Sequence, residues 1–349
     1  MLVQNKLVNA FDQLGKIMRL LGENQPWSSY ESGLNENEYE ALNALIRKQF
    51  ILNGWFTEEA VRFSLKALGE QLKKENLEYF TQKYNYTTSP KKIGVIMAGN
   101  LPLVGFHDFL CVLLSGNKIN IKLSSDDKTL LPALIDVLLH FLPELKEKIE
   151  ISVAKIGAID AIIATGSGNS MRYFESYFGH LPHLFRKNRT SIAVLDGTET
   201  DQELEALGKD IFTHFGLGCR NVSKLLIPND FDLNRFFAAI IPFGEIINHH
   251  KYANNYDYNK AIYLMNLEKM LDNNFILLKE SEELFSPLAV LYYQRYTSIF
   301  EAKEYIAKEN ENLQVIVGHE FHRLGTAQCP TLFDFADGVD TMQWLQSLI

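Results

Sequence analysis

Val3, Leu7, Phe11, Leu14, Met18 and Leu21 recur at three- and four-residue intervals, with Asp12 and Gln13 between them. This spacing predicts an amphipathic helix at the start of the chain, docked by its apolar stripe. Helical patterning continues to about residue 85, through an acidic, polar stretch at 31–40 and an amphipathic run at 58–80. The texture changes at YNYTTSPKK, residues 84–92, whose turn-forming residues precede the apolar run IGVIMAG. From there short apolar runs alternate with helical ones. Buried strands are predicted at 93–98, 118–123, 161–165, 191–195, 222–227, 289–293 and 313–317, and helices at 130–141, 170–178 and 201–215. Strands interleaved with helices in this way predict parallel sheets covered on both faces. No internal repeat is visible.

A chain of 349 residues is long enough for two such domains. Its 46% hydrophobic and 22% charged residues argue that most of it folds. Lys and Arg number 34 against 43 Asp and Glu, a net charge of −9, which is the reverse of a phosphate-backbone binder and leaves nucleic acid out as a partner. Asn100, His107 and Asp108 interrupt the most apolar region, and Asp136 and His140 the next, so no membrane span is expected. Cys111, Cys219 and Cys329 lie far apart without a C-x-x-C pair, which fits a reducing cytoplasm. His180-x-x-His183 and His319-x-x-His322 lack a third ligand at recognisable spacing, so no metal site is expected.

Candidate chemistry collects at four places. Cys219, in GLGCRN, sits between a helix and an apolar strand, with Gly216 and Gly218 allowing close backbone approach; it reads either as a nucleophile or as a small packed residue. Cys111 lies within the apolar run FHDFLCVLLSG and reads as packed, and Cys329 precedes Pro330 without an evident activating neighbour. Asn100, Lys122 and Ser124 fall at strand carboxyl ends, where open α/β sheets collect ligands. Thr165-Gly166-Ser167 precedes a helix whose free N–H groups suit a phosphate, although an ordinary turn fits equally well. Glu283, in ELFSP, precedes an apolar strand and by itself reads as a loop carboxylate. Neither glycine-containing loop matches the dinucleotide or the P-loop fingerprint.

In combination these segments resemble the aldehyde dehydrogenase superfamily. Asn100-Leu-Pro, Gly116-Asn117 and IKLS resemble that family's Asn-x-Pro, Gly-Asn and Lys-Pro-Ser series, Thr165-Gly-Ser167 its Thr-Gly-Ser turn, and Glu283-Leu-Phe-Ser-Pro287 its Glu-x-Phe-Gly-Pro motif. GLGCRN and the tail AQCPTLFDFADGVDTMQWL look most like the long-chain acyl-CoA reductases of the LuxC type. The resemblance implies an α/β, aldehyde dehydrogenase-like fold of two Rossmann-like doubly wound domains. Residues 1–88 would form an N-terminal helical segment on the cofactor domain, 89–197 with 318–349 the NADPH-binding domain, and 198–317 the thiol-bearing catalytic domain.

The same resemblance makes Cys219 the acyl-accepting thiolate, with the Asn100 amide and the Cys219 N–H as oxyanion hole. Lys122 and Ser124 would hold the adenosine ribose, Thr165, Gly166 and Ser167 would line the pyrophosphate and nicotinamide path, and Glu283 would bind the nicotinamide ribose. Two departures are informative. Where hydrolytic relatives have a water-activating glutamate, this chain has AVLDGTE, with Val194 or Leu195 at that place. Where NAD-preferring relatives have a glutamate on the ribose 2′-hydroxyl, it has Ser125, which favours NADPH, while Asp126 and Asp127 directly beyond keep NADH open. The implied function is NADPH-dependent reduction of a long-chain acyl-CoA, or another acyl thioester such as an acyl-protein, to the aldehyde. Alternatives are a CoA-acylating aldehyde dehydrogenase, an acyl-phosphate reductase, and a scaffold that kept the fold; a homo-oligomer is compatible with each.

Overall fold

Two parallel sheets organise the chain. The computed structural model describes residues 2–153, 155–166 and 168–348, and it divides into two units, Met1–Lys187 with Thr331–Ile349, and Asn188–Pro330.

In the first unit the helices Leu2–Gly22, Glu36–Leu52, Glu58–Gln71 and Lys74–Thr81 share one apolar core with the first sheet. Leu7, Phe11, Leu14, Met18 and Leu21 are buried as their spacing requires, whereas Val3 is 58% exposed and lies off the docked stripe. The acidic stretch at 31–40 resolves into a short turn and a helix start, where the Asn35 side chain accepts from the Glu38 N–H and Glu38 returns the contact to the Asn35 N–H. A Cβ on Gly15 would stand 2.5 Å from that of Leu72, so bare backbone is what lets the first helix touch the Glu58–Gln71 helix.

The first sheet holds β1 (Lys92–Ile96), β2 (Lys118–Lys122), β3 (Ile149–Ile151), β4 (Ala161–Thr165) and β5 (His183–Arg186), in the order β3-β2-β1-β4-β5. All its pairings are parallel. The chain runs outward from β1 to β3 and then returns to the other flank of β1. The direction of winding therefore switches between β1 and β4, where open sheets form a ligand crevice. The buried Arg186 fastens the returning tail, donating to the Ala336 carbonyl at 2.8 Å and the Thr341 hydroxyl at 2.9 Å while pairing with Asp108 at 2.7 Å.

The second sheet holds β6 (Thr190–Val194), β7 (Val222–Pro228), β8 (Leu271–Asp272), β9 (Leu277–Glu280), β10 (Val290–Tyr296) and β11 (Leu313–Val317), ordered β11-β6-β7-β10-β9-β8. Only the two-residue edge strand β8 is antiparallel. The resemblance implies domain changes near 197 and 318. The two units divide at Lys187/Asn188 and Pro330/Thr331, where β6 hydrogen-bonds between β7 and β11 within the second sheet. The helix expected over 201–215 stops at Phe212, since His214, Phe215 and Gly216 all adopt positive φ. No helix among the described residues is long and apolar enough to cross a membrane.

Candidate active site

Strand register gathers most of the first unit's candidates at one edge. Lys122, Ile96 and Ala164 lie side by side across β2, β1 and β4, so the chain segments bearing Asn100, Ser124 and Thr165-Gly166 all leave from the carboxyl edge. Packing draws two of them together, because a Cβ on Gly99 would stand 2.4 Å from the Ser124 hydroxyl. Asn100 and Ser125 are exposed, Ser124, Thr165 and Gly166 half-buried, and the Lys122 ammonium donates to the Val153 carbonyl at 2.9 Å. Gly166 packs its bare Cα against Ser170 and Phe174, and the place of a Cβ on Gly168, the first residue of the following helix, is open space. Ser167 lies outside the described residues.

Asp127 is spoken for. Its carboxylate accepts the N–H of Leu103 at 2.8 Å, which buckles the segment after β2 to the Asn100 segment where Leu103 takes φ +61°. Burial pushes this carboxyl up to about 6, against the N–H groups of Leu103 and Leu130 that favour its charge. The nearby acid left open to solvent is Asp126.

In the second unit Cys219 stands at the amino end of β7 with its thiol exposed. Asn221 builds the turn beneath it. Its buried side-chain amide donates to the carbonyls of Asp210 (3.1 Å), Ile211 (3.2 Å) and Thr213 (2.8 Å) and accepts the Gly218 N–H at 2.8 Å. The Cys219 carbonyl accepts from the buried Ser191 hydroxyl at 2.9 Å, which pins the residue to the start of β6. Burial takes His214, in the same turn, down to about 4, so its imidazole is neutral at pH 7. Cys111 is fully buried with its thiol pushed well up by that burial, and an exposed Cys329 is the remaining thiol.

Glu283 is exposed in the 281–289 segment between β9 and β10, its carboxylate accepting from the Tyr292 hydroxyl at 3.4 Å. Sequence reasoning passed over Asn221 and Ser191, and read Asp127 only as an acid beside the ribose rather than as a partner of Leu103. Asn221 stood inside the GLGCRN motif, and an asparagine just beyond a helix end and a glycine turn was the available signal.

AVLDGTE is the end of β6 and the turn after it. Val194 and Leu195 are buried core side chains. Asp196 accepts from the Thr198 N–H at 2.8 Å and contacts His319 Nδ1 at 2.8 Å, and these hydrogen bonds hold its carboxyl below the usual range against the upward push of burial. Asp196, Glu199 and His319 each place a ligand atom within 4.8 Å of the others, although Glu199 already accepts the N–H groups of Asp196 and Gly197. His322, three residues beyond His319, contributes its backbone to Gly318 and Ile316.

Residues 34–230, more than half of the sequence, match the acyl-CoA reductase (LuxC) family. The chain belongs to that family. The matched stretch includes Asn100, Lys122, Thr165 and Cys219 and ends before Glu283. No curated protein matches.

Solved structures share the fold of this acyl-CoA reductase family member. Aldehyde dehydrogenase 21 from Physcomitrella patens, solved with its product succinate, is 11% identical with a TM-score of 0.63, covering 97% of this chain and 84% of its own. An acetylating aldehyde dehydrogenase from Geobacillus thermoglucosidasius is 12% identical with a TM-score of 0.58, covering 91% and 77%. The P. syringae indole-3-acetaldehyde dehydrogenase, solved with NAD+ and IAA, is 12% identical with a TM-score of 0.58, covering 86% and 69%. The family member is thus an oxidoreductase with the aldehyde dehydrogenase fold.

Proposed function

We propose that this protein reduces a long-chain acyl-CoA, or another acyl thioester, to the aldehyde with NADPH, through a thioester on Cys219. The observation that carries the reading is the exposed Cys219 thiol on a turn anchored by Asn221 and Ser191, in a chain of the acyl-CoA reductase family. The Cys219 thiolate attacks the acyl carbonyl, the carbon–sulfur bond to CoA breaks, and CoA leaves as its thiol. A bound reduced nicotinamide supplies the hydride that converts the enzyme thioester to a thiohemiacetal. Collapse of that adduct returns the thiolate to Cys219 and releases the aldehyde. The Asn100 amide and the Cys219 N–H donate to the carbonyl oxygen each time it gains negative charge.

The carboxyl edge at the β1/β4 switch suits a dinucleotide, with Lys122 and Ser124 on the adenosine ribose, Thr165, Gly166 and Ser167 along the pyrophosphate and nicotinamide path, and Glu283 on the nicotinamide ribose. The open space at Gly168 favours an anion at that helix start. Ser125 favours NADPH over NADH, and the commitment of Asp127 to Leu103 removes one of two acids that would oppose a 2′-phosphate. Asp126 remains exposed, so affinities for the two nucleotides belong in the same experiment.

Labelled acyl-CoA without nucleotide tests the reading. The label should appear on Cys219, leave quickly when CoA is added and leave slowly in buffer, because neither Val194 nor Leu195 can activate water. Rapid release of fatty acid, slowed in Asp196→Asn, would mean a hydrolytic enzyme instead. An acyl phosphate that labels Cys219 faster than acyl-CoA would move the protein to the acyl-phosphate reductases.

A further inference from the structure

Within that reading, we propose that Lys224 is a positioning residue for the cofactor, its buried ammonium fixing the 282–284 segment to the strand that follows Cys219. Lys224 lies in β7 and has no exposed surface. Its ammonium donates to the Gln294 side-chain oxygen at 2.7 Å, the Glu282 carbonyl at 2.9 Å, the Tyr305 hydroxyl at 3.0 Å and the Glu283 carbonyl at 3.2 Å. The charge also sits 4.2 Å from the centroid of the Tyr305 ring. None of these oxygens is a carboxylate, and a buried ammonium that no carboxylate contacts directly is costly; an apolar side chain would fill the space with less penalty. What the ammonium provides is a hold on consecutive carbonyls in a segment that has no ladder of its own.

The neighbouring residue strengthens the case. Ser223 donates to the Leu284 carbonyl at 3.1 Å, so β7 grips Glu282, Glu283 and Leu284 in turn. On a regular strand Ser223 and Lys224 would point to opposite faces and could not both do this. The register supplies the means, since Ser191 pairs with Val222 and Ile192 with Lys224, leaving Ser223 as an extra residue. Such a bulge re-aims side chains and recurs beside active sites. One strand thereby carries the thiol turn at its start and holds the Glu283 segment immediately afterwards.

The hold is sensitive to pH. Burial draws the Lys224 ammonium down to about 8, opposed by Glu309 of the Ile299–Glu309 helix and by Glu282 and Glu283 of the gripped segment, and reinforced by Lys308. The neutral amine that forms above that pH has two N–H groups instead of three for the same four oxygens.

Two measurements on the full chain separate this proposal from the assignment of Glu283 itself: equilibrium binding of NADPH by nucleotide fluorescence, and acylation of Cys219 by acyl-CoA without nucleotide. Lys224→Met should weaken NADPH binding by about tenfold or more while acylation stays within about twofold. Glu283→Ala should show a similar loss, and the double variant no additional one, as expected for residues acting as one unit. Lys224→Met binding NADPH within about twofold of the parent overturns the proposal, whatever Glu283→Ala does. If Lys224→Met weakens binding and Glu283→Ala does not, the hold stands and the role given to the Glu283 carboxylate fails. Should Lys224→Met not fold, the parent protein decides: NADPH affinity must fall as pH rises through about 8, and a flat profile overturns the hold.

Discussion

The two sheets use opposite edges. The first presents Asn100, Lys122, Ser124 and Thr165 where its strands end, the second presents Cys219 where a strand begins. The carboxyl edge of a parallel sheet leads into helix starts, whose free N–H groups receive anions without further construction. The amino edge follows helix ends, where unpaired carbonyls and the negative end of the dipole disfavour a thiolate. Asn221 answers that problem by donating to three carbonyls at the end of the Asp201–Phe212 helix, while three left-handed residues turn the chain away. One edge is ready-made for charge; the other had to be rebuilt.

Replacing the thiol gives the sharpest contrast between them. Cys219→Ala should abolish both acyl labelling and NADPH oxidation yet leave nucleotide binding intact, while Cys111→Ala and Cys329→Ala keep the label. Turnover surviving in Cys219→Ala would remove the second sheet's edge from the chemistry. Next in size is Asn100→Ala, for which loss of an oxyanion donor predicts a rate lower by about 10²–10³, or roughly 2.7–4 kcal/mol, with NADPH affinity unchanged. If the loss appeared in nucleotide affinity instead, Asn100 would belong to cofactor binding alone.

Asn221→Ala tests whether the amino edge is as constructed as it looks. Leaving buried carbonyls without a donor costs about 1–3 kcal/mol each, so the thermal midpoint should drop by several degrees and alkylation of Cys219 should slow. A midpoint within about one degree of the parent would show that the turn holds without its clamp.

The smallest effects compare two buried aspartates, one in each unit. Asp127 and Asp210 are both pushed up to about 6 by burial, and both accept backbone N–H groups from a second segment. A carboxyl raised from 3.8 to about 6 binds its proton more tightly in the folded chain, at a cost on the order of 3 kcal/mol once ionised. From these two groups, stability falls as pH rises from about 4 to about 6 and then levels off. Their partners differ. Asp210 uses both oxygens, one on Gly325 and one on Ala327, whereas Asp127 Oδ1 has no hydrogen-bond partner. Asp210→Asn should therefore destabilise at pH 7.5, and Asp127→Asn should be neutral or stabilising with a shallower slope between pH 4 and 6. Denaturant unfolding followed from about pH 4 to about pH 7.5 distinguishes them, and equal losses would contradict the difference in their contacts.

Legibility followed the same division. Apolar runs marked β1, β2, β4, β6, β7, β10 and β11, and motif residues marked the carboxyl edge, because both depend on residues close in sequence. The short strands β3, β5 and β8 lack such runs, and His183–Arg186 is set as a strand by its pairing with β4. Asp127 stood beside Asp126 as an equivalent acid, and only a contact with Leu103, 24 residues away, makes it a buckle. The bulge at Ser223 is likewise invisible without the register of β6. Val194 illustrates the limit of motif matching: the chain has no glutamate there, and the side chain is simply core.

The return of the tail to the first unit bears on how the chain is made. Arg186 meets Thr341 across 155 residues and Tyr84 meets Asp340 across 256, at 2.7 Å, so the first unit's closing contacts are among the most distant in the sequence. Closing such long loops is slow compared with local pairing. The closing tail is translated only after the continuous stretch Asn188–Pro330, so the first unit lacks its last core residues throughout the synthesis of the second. During that interval the surface awaiting Leu332, Met342 and Leu345 is open apolar core. The unit begun before Asn188 is thus completed only after the unit that follows it, and that waiting state is where aggregation during synthesis would begin.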